Sequence, residues 1–487
     1  MPDIAGFCWK PALYAVKSWW SLAIRCRGCI TGEHRMRENT LDTTRTLPQL
    51  LRFVAPSIVM MLAMGIYTIT DTLFVSRLVN TDALSAINIV CPMINLIIGL
   101  SSMLASGGVA VLCRDMGAGL LEKVRKNAAL LCVCTIGLGC VLAIGGLLFT
   151  DELLQLLHAK GRILPYARGY LSMLLLFTPF CMLQVLYQSM FVAAGRPLLG
   201  MLLAMCAGGV NVALDLAFMS GFHMGIEGSA LATGIGYMVP AIYGTLYFLQ
   251  RKERELHFAR PAWDASMLKE SCLNGSSEMV SQLASALTTL LLNTILFRLH
   301  QEDGVAAGTI IVYTQFLLTS LYIGFSMGAA PLISYQYGRK DTARLLQLLR
   351  KCIGIVVISS LAIFVTTILF QRPLVTLFTD KDTSVYRIAL QGFAIFTFSL
   401  LFSGFNIFSS AMFTALSQGR LSALISFSRT FGFYLLFLLI LPRWLGSRGV
   451  WLAIVLAEGC SLLVSLLSIQ RHTLTCHLAD RKKNRLY

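Results

Sequence analysis

Charged side chains are scarce in this chain of 487 residues: Asp, Glu, Lys and Arg make up 13% of it, about half the share in an ordinary soluble domain. With 56% hydrophobic residues and a mean hydropathy of +0.71, that shortage excludes a soluble globular protein. The phosphate-cradling GxxxxGK[ST] and the metal-binding HExxH are absent, so ATP is not the energy source within this chain and no zincin chemistry is expected. The seven histidines form no cluster along the sequence. Cysteines number 14 and lie mostly inside apolar stretches, where thiols pack as small hydrophobes. The one CxxC, Cys26-Arg-Gly-Cys29, has no second pair and carries no metal expectation. An enzyme is not expected, and neither is a cofactor.

What is present is a succession of apolar runs of about 20 residues, each long enough to span a bilayer. They predict an all-α integral membrane protein of about twelve transmembrane helices, over 51–77, 84–112, 128–149, 165–193, 198–220, 228–249, 272–297, 307–334, 353–371, 386–416, 421–441 and 449–469. The expected organisation is an N-terminal extension (1–45), a six-helix bundle (46–250), a cytoplasmic linker (251–271), a second six-helix bundle (272–470) and a basic cytoplasmic tail (471–487). In the extension, Trp19-Trp20 is interleaved with Lys10, Lys17, Arg25 and Arg27. That stretch is either an interfacial amphipathic segment or is not translated, the chain starting at Met36.

The formal charge of +16 invites a nucleic-acid reading, but its distribution argues against one. Of the 40 Lys and Arg residues, 30 fall in the N-terminus, the even-numbered loops and the tail. That is the positive-inside pattern, and it predicts a multi-pass protein of the plasma (inner) membrane with both termini cytoplasmic.

The second half repeats the first. Thr70-Asp71-Thr72-Leu73 aligns with Leu292-Asn293-Thr294-Ile295, and Met190-Phe191-x-Ala193 with Met412-Phe413-x-Ala415, each at an offset of 222. Gly107, Gly117 and Gly228-x-x-Leu231-Ala232 align with Gly328, Gly338 and Gly449-x-x-Leu452-Ala453 at 221. An even number of helices per unit makes the repeat parallel, giving two pseudo-symmetric six-helix bundles about an axis along the membrane normal.

The chemistry-bearing positions cluster in the first half. Asn211 and Asp215 are four residues apart in an apolar helix and so share one face. An aspartate there costs roughly 2.5–3.5 kcal/mol on insertion scales. Asp71 lies in the first helix and its repeat mate is the neutral Asn293; near the positions aligned with Asn211 and Asp215 the chain reads Leu435-Leu436-Phe437-Leu438-Leu439. Two carboxyls in a dry site titrate as a unit, which suits a proton carrier. With the Asn211 amide and Thr233 hydroxyl, the same oxygens suit sodium, a hard cation. The plain alternative for each is a hydrogen bond to a neighbouring helix. Glu278, within the seventh helix, either attracts a cationic substrate or caps the helix. Gln184, Tyr187 and Gln188 of the fourth helix line a cavity or bond between helices; Glu458 in the twelfth is weighed the same way. Pro56 is a candidate hinge in the first helix, since proline removes a backbone hydrogen bond.

These residues resemble the multidrug and toxic compound extrusion (MATE) family over roughly residues 45–470. The resemblance rests on Pro56 with Asp71-Thr72-Leu73-Phe74-Val75, Ala86-x-x-x-x-Cys91-Pro92, Gly195-Arg196-Pro197, Asn211-x-x-x-Asp215 and Gly225-x-x-Gly228-x-x-x-Ala232-Thr233. It is similar to the DinF-like branch in its first-half acids and to the MepA-like group around Ser277-Glu278-Met279-Val280. The resemblance implies a V-shaped pair of bundles and assigns Asp71, Asn211, Asp215 and Thr233 to proton or sodium coupling and Pro56 to bending of the first helix. It implies a monomeric antiporter that exports amphipathic organic cations by alternating access. One rival is a flippase for lipid-linked saccharides, whose anionic diphosphate needs Arg or Lys at membrane depth; Arg429 is expected toward the cytoplasmic end of its helix. The other is a non-transporting scaffold, which would tolerate Asp71→Asn and Asp215→Asn.

Overall fold

The computed structural model describes residues 40–43, 46–79, 81–250, 255–376 and 378–483. Cys26, Cys29, Trp19-Trp20 and Met36 lie outside them. The chain divides into two compact units, Met1–Thr43 and Thr44–Tyr487. Of the first, the described part is one helical turn, Thr40–Thr43.

Among its described residues the second unit is built of helices, with no strand. Its first half comprises α1 (Leu47–Leu78), α2 (Thr81–Gly117), α3 (Leu121–Leu148), the short α4 (Thr150–Leu156), α5 (Ile163–Leu176), α6 (Thr178–Ala193), α7 (Pro197–Asp215) and α8 (Gly225–Gln250). Its second half comprises α9 (Ala265–Gly338), α10 (Thr342–Thr376), α11 (Ser384–Phe396), α12 (Leu400–Ala415), α13 (Gly419–Phe427), α14 (Phe433–Leu445) and α15 (Ser447–Lys483).

Among the described residues nine helices are long and apolar enough to cross a membrane, or ten with the bent pair α5–α6 as one span. One of them, α9, is two spans: non-helical geometry at His300 (φ −138°) and Gln301 (φ 54°) breaks its 74 residues into antiparallel limbs. The sequence pattern predicts a longer connection there. The twelfth place is taken by α8, which is broken up by small and polar residues and packs between α6 and α7. The 55° bend between α5 and α6 falls at Phe177-Thr178-Pro179. Proline disfavours helical geometry in the residue before it and supplies no N–H to the preceding turn.

Helices begin earlier than apolarity alone predicts, most clearly at Thr342 rather than 353 and at Ala265 rather than 272. Lys, Arg and Gln in these turns end the hydrophobic signal but remain good helix formers. Asp264 caps α9 by accepting the Met267 N–H at 3.0 Å.

The halves meet along glycines. A Cβ on Gly107 would overlap the Ser271 carbonyl of α9, and one on Gly275 the Met103 carbonyl of α2. The repeat mates Gly117 and Gly338 act reciprocally: each lies on the backbone of the other's helix, at Tyr335 and at Arg114. Farther along, Gly324 and Gly328 would strike Ile58 (2.6 Å) and Val54 (2.8 Å) of α1. Lipid tails are as apolar as the side chains, so close backbone approach at small residues is what holds such helices together. The seam is closed at one end of the bundle by Arg114, which pairs with Glu270 of α9 and donates to Ser417 Oγ at 3.1 Å.

Candidate functional site

Asp71 of α1 and Asp215 of α7 converge. Their carboxyl groups lie within hydrogen-bonding reach of each other, toward the bundle end opposite Arg114. Asp215 is fully buried and Asp71 half-buried. Asp71 Oδ1 accepts a hydrogen bond from Ser229 Oγ of α8 at 3.2 Å. With the Asn211 amide oriented to satisfy both its atoms, its nitrogen donates to Asp215 Oδ2 at 3.3 Å. Its oxygen then accepts from the Thr233 hydroxyl at 3.1 Å and the Thr233 N–H at 3.2 Å. Asp215 Oδ1 is buried and accepts no hydrogen bond from an N–H or hydroxyl donor among the described residues. The structure therefore brings Asp71, Asn211, Asp215 and Thr233 together and adds Ser229.

The local fold explains the convergence. α7 is regular through Asp215 and then widens into a π-helical turn, Leu216–Gly221, a feature common at functional sites. His223 (φ 54°) and Gly225 (φ 63°) take left-handed geometry, and the chain returns as α8 along α7. Close approach comes from Gly236, whose added Cβ would lie 3.3 Å from the Ala207 carbonyl and 3.4 Å from Asn211 Cβ. Gly236→Val is expected to push α7 away, break the Asn211–Thr233 contact and impair transport while membrane insertion stays normal. Parallel transport and expression assays check it, and unchanged transport would show that the contact is dispensable.

Three tyrosines surround the pair and were not singled out from the sequence. Tyr67 and Tyr237 lie within hydrogen-bonding reach of each other, and Tyr237 also of Cys181. Tyr170 is buried nearby. Tyr67 stands four residues before Asp71, hence on the same helix face, and that spacing was the available signal.

The other positions fare differently. Tyr187 is fully buried in a packed core: its hydroxyl bonds Thr245 Oγ1 at 2.7 Å and Cys132 Sγ at 3.2 Å, and its ring stacks on Phe248. It does not line a cavity, because helix packing between α3, α6 and α8 uses every part of it. Tyr187→Phe is expected to cost about 1 kcal/mol of stability, one neutral hydrogen bond, with transport intact. A thermal melt beside a transport assay checks this. Gln184 and Gln188 are buried, and Gln188 donates to Met64 Sδ of α1 at 3.5 Å. Asn293 and Glu278 are half-buried on α9. Pro56 lies inside a continuous α1, next to the crossing with Gly324.

The second half carries deep charge of its own, and the structure shows how it is arranged. Arg429 sits in the π-helical turn Ser428–Gly432 between α13 and α14, and its Nη1 lies 3.4 Å from Glu458 Oε1 of α15. Asn406 Nδ2 of α12 donates to Glu458 Oε2 at 2.7 Å, and Ser465 Oγ donates to Asn406 Oδ1 at 3.0 Å. Arg429 comes ten residues into its span, about 15 Å from the helix start, deeper than expected. Glu458 and Arg429 were visible in the sequence, but their meeting was not, because they stand on different helices. Gly324-Phe325-Ser326-Met327-Gly328 has G-x-S-x-G spacing but runs within α9. A nucleophile elbow needs a strand-to-helix turn.

Two bundles of six spans related by a parallel repeat, with ionisable groups deep in each, define a membrane transporter of the inverted- or parallel-repeat kind. The chain belongs to the MatE family, whose model matches residues 56–217 and again 279–440, once in each half. It is 25% identical over 423 residues to the multidrug export protein MepA of Staphylococcus haemolyticus (strain JCSC1435), covering 85% of this chain and 91% of that one. The MepA of Staphylococcus aureus (strain MRSA252) is 24% identical over 425 residues, covering 86% and 92%. A crystal structure of MATE in complex with MaL6 superposes with a TM-score of 0.84 at 22% identity, over 90% of this chain and 98% of that one. An outward-facing multidrug resistance MATE family transporter of the MOP superfamily gives 0.83 at 22% identity and the same coverage.

Proposed function

We propose that this protein is a multidrug efflux antiporter that exchanges protons for amphipathic organic cations by alternating access, as a plasma-membrane monomer with both termini cytoplasmic. The observation that carries the reading is the meeting of Asp71 and Asp215 in a site walled by three membrane helices. The naming of the MepA relatives as multidrug export proteins supports the substrate class, and the skew of basic residues supports the orientation.

The donor set fits a proton better than sodium. Sodium wants several oxygens converging on one point. With the Asn211 amide turned to satisfy both its atoms, its nitrogen faces Asp215 and its oxygen is taken by Thr233, so fewer oxygens converge on one point. Two carboxyls in contact accept one proton between them, whose arrival from outside weakens the hold on a cation and whose departure restores it. Differential binding of proton and drug to the two conformers is all that exchange requires. A flippase for anionic lipid-linked sugars is disfavoured because Arg429, though deep, is already paired with Glu458.

The test uses purified protein in liposomes, with ethidium as the cation. Ethidium movement driven by an imposed pH gradient, and not by a sodium gradient, is the expected result. Movement under sodium alone would reverse the ion assignment, and none under either would remove the antiporter reading.

A further inference from the structure

The Arg429–Glu458 pair is unexplained by the coupling site, which lies in the other half. It is also unexplained by the fold. At the repeat offsets of 221 and 222, Arg429, Glu458 and Asn406 correspond to Gly208, Tyr237 and Gln184. The first half builds the same six-helix scaffold without this ion pair. A buried ion pair is weak evidence for stability, because the cost of stripping water from both ions offsets most of their attraction.

Its surroundings point to another role. The π-helical turn that carries Arg429 packs against both α9 and α15, and the charge of Arg429 acts on two carboxylates, Glu458 of α15 and Glu278 of α9. Glu458 is anchored by Asn406, itself held by Ser465. Glu278 has no such anchor among the described residues. It stands between Ser277, whose hydroxyl meets Thr414 of its own half, and Met279, which packs on Gly99 of the other half. Glu278 is thus on the line where the halves meet, half-buried, while the Arg429 side chain keeps 19% of its surface accessible. With both carboxylates ionised, one guanidinium faces two negative charges, and the cluster then carries one uncompensated negative charge.

We infer that Arg429 sets the charge of the substrate this protein accepts: by pairing with Glu458, on a turn packed against the helix of Glu278, it leaves the second half with a place for one positive charge and so selects monocations over dications. The inference rests on the cationic-substrate reading above and adds the residue that tunes it. Arg429 is a tethered internal cation. When a drug's ammonium group reaches Glu278, the guanidinium stays with Glu458, and no second carboxylate is free for a second positive pole. Removing the guanidinium frees that second carboxylate, and the cluster then holds two negative charges.

The experiment compares binding of decyltrimethylammonium, a monocation, with decamethonium, the dication of the same chain length, to purified full-length protein in lipid nanodiscs by titration calorimetry. In Arg429→Gln the affinity ratio of dication to monocation is expected to rise at least tenfold. Glu458→Gln leaves Arg429 to neutralise Glu278, and monocation affinity is expected to fall. The double variant Arg429→Gln with Glu458→Gln restores the net charge, and its ratio is expected to return to within about threefold of wild type. It also removes both members of the Arg429–Glu458 pair together, which keeps the test open if either single variant fails to fold. A purely structural pair predicts lowered affinity for both probes alike and no return in the double variant, and that outcome overturns the inference. Wild type that binds neither probe overturns the inference together with the cationic-substrate reading, whereas wild type that binds the monocation with an unmoved ratio in the variants overturns the inference alone.

Discussion

In Asp215→Asn, proton-driven ethidium export is expected to fall at least about tenfold at equal protein levels. An Asn retains the shape of the side chain and can still meet Asn211. It cannot share a proton with Asp71, nor offer a negative charge to a cation once that proton has left. The loss corresponds to one charge-assisted interaction, worth about 1.5–3 kcal/mol. Asp71→Asn is expected to do the same, and the double variant to do little worse than either, because residues that act as one unit are not additive. Counterflow of ethidium with no proton gradient gives a separate check: it needs no proton release and should survive better than net export. Full gradient-driven export by Asp215→Asn would remove the pair from the coupling mechanism and reopen the scaffold alternative for these acids.

The second large effect is expected at the seam between the halves. In Gly338→Leu the new side chain would enter the space occupied by the Arg114 carbonyl of α2. Backbone has no rotamer into which it can retreat, so the strain falls on the helix crossing itself. Overpacking of this kind costs about 1–3 kcal/mol, which depopulates the conformer with this end closed by roughly five- to a hundredfold. The reporter is Ser271→Cys, a position fully buried against Gly107 and more than one helical turn away. A membrane-impermeant maleimide should leave that thiol unmodified in the otherwise native protein and modify it readily when Gly338→Leu is added. A thiol that stays protected would mean the helices absorb the leucine without parting, and that the seam is not the closed gate.

How much of this was legible beforehand depended on the kind of signal. The number and order of spans came from uninterrupted apolar stretches, and α1, α2, α3 and α7 to α15 lie close to where those stretches are. The repeat was visible as matched residues, and the glycines 117 and 338 that marked it proved to be reciprocal contacts. Asn211 and Asp215 announced a site by their cost in an apolar helix. Ser229, Tyr67 and Tyr237 did not, because serine and tyrosine are unremarkable in a membrane helix until something charged faces them. Tyr187 stayed open between a cavity and an interhelical bond for the same reason: its neighbours Thr245, Cys132 and Phe248 come from other helices.

The sequence by itself determined that this chain enters a membrane, that it does so as a duplicated unit, and that its first half keeps two carboxyls and its second half two more. Only the tertiary structure decided which of them meet: Asp71 with Asp215, and Glu458 with Arg429 rather than with Glu278. The physical reason is the solvent. In water a helix declares its inward face by being apolar there and polar elsewhere. In hydrocarbon the face toward lipid and the face toward protein are both apolar, so periodicity falls silent and packing of small residues orients each helix. Where a side chain points is then a property of twelve spans together.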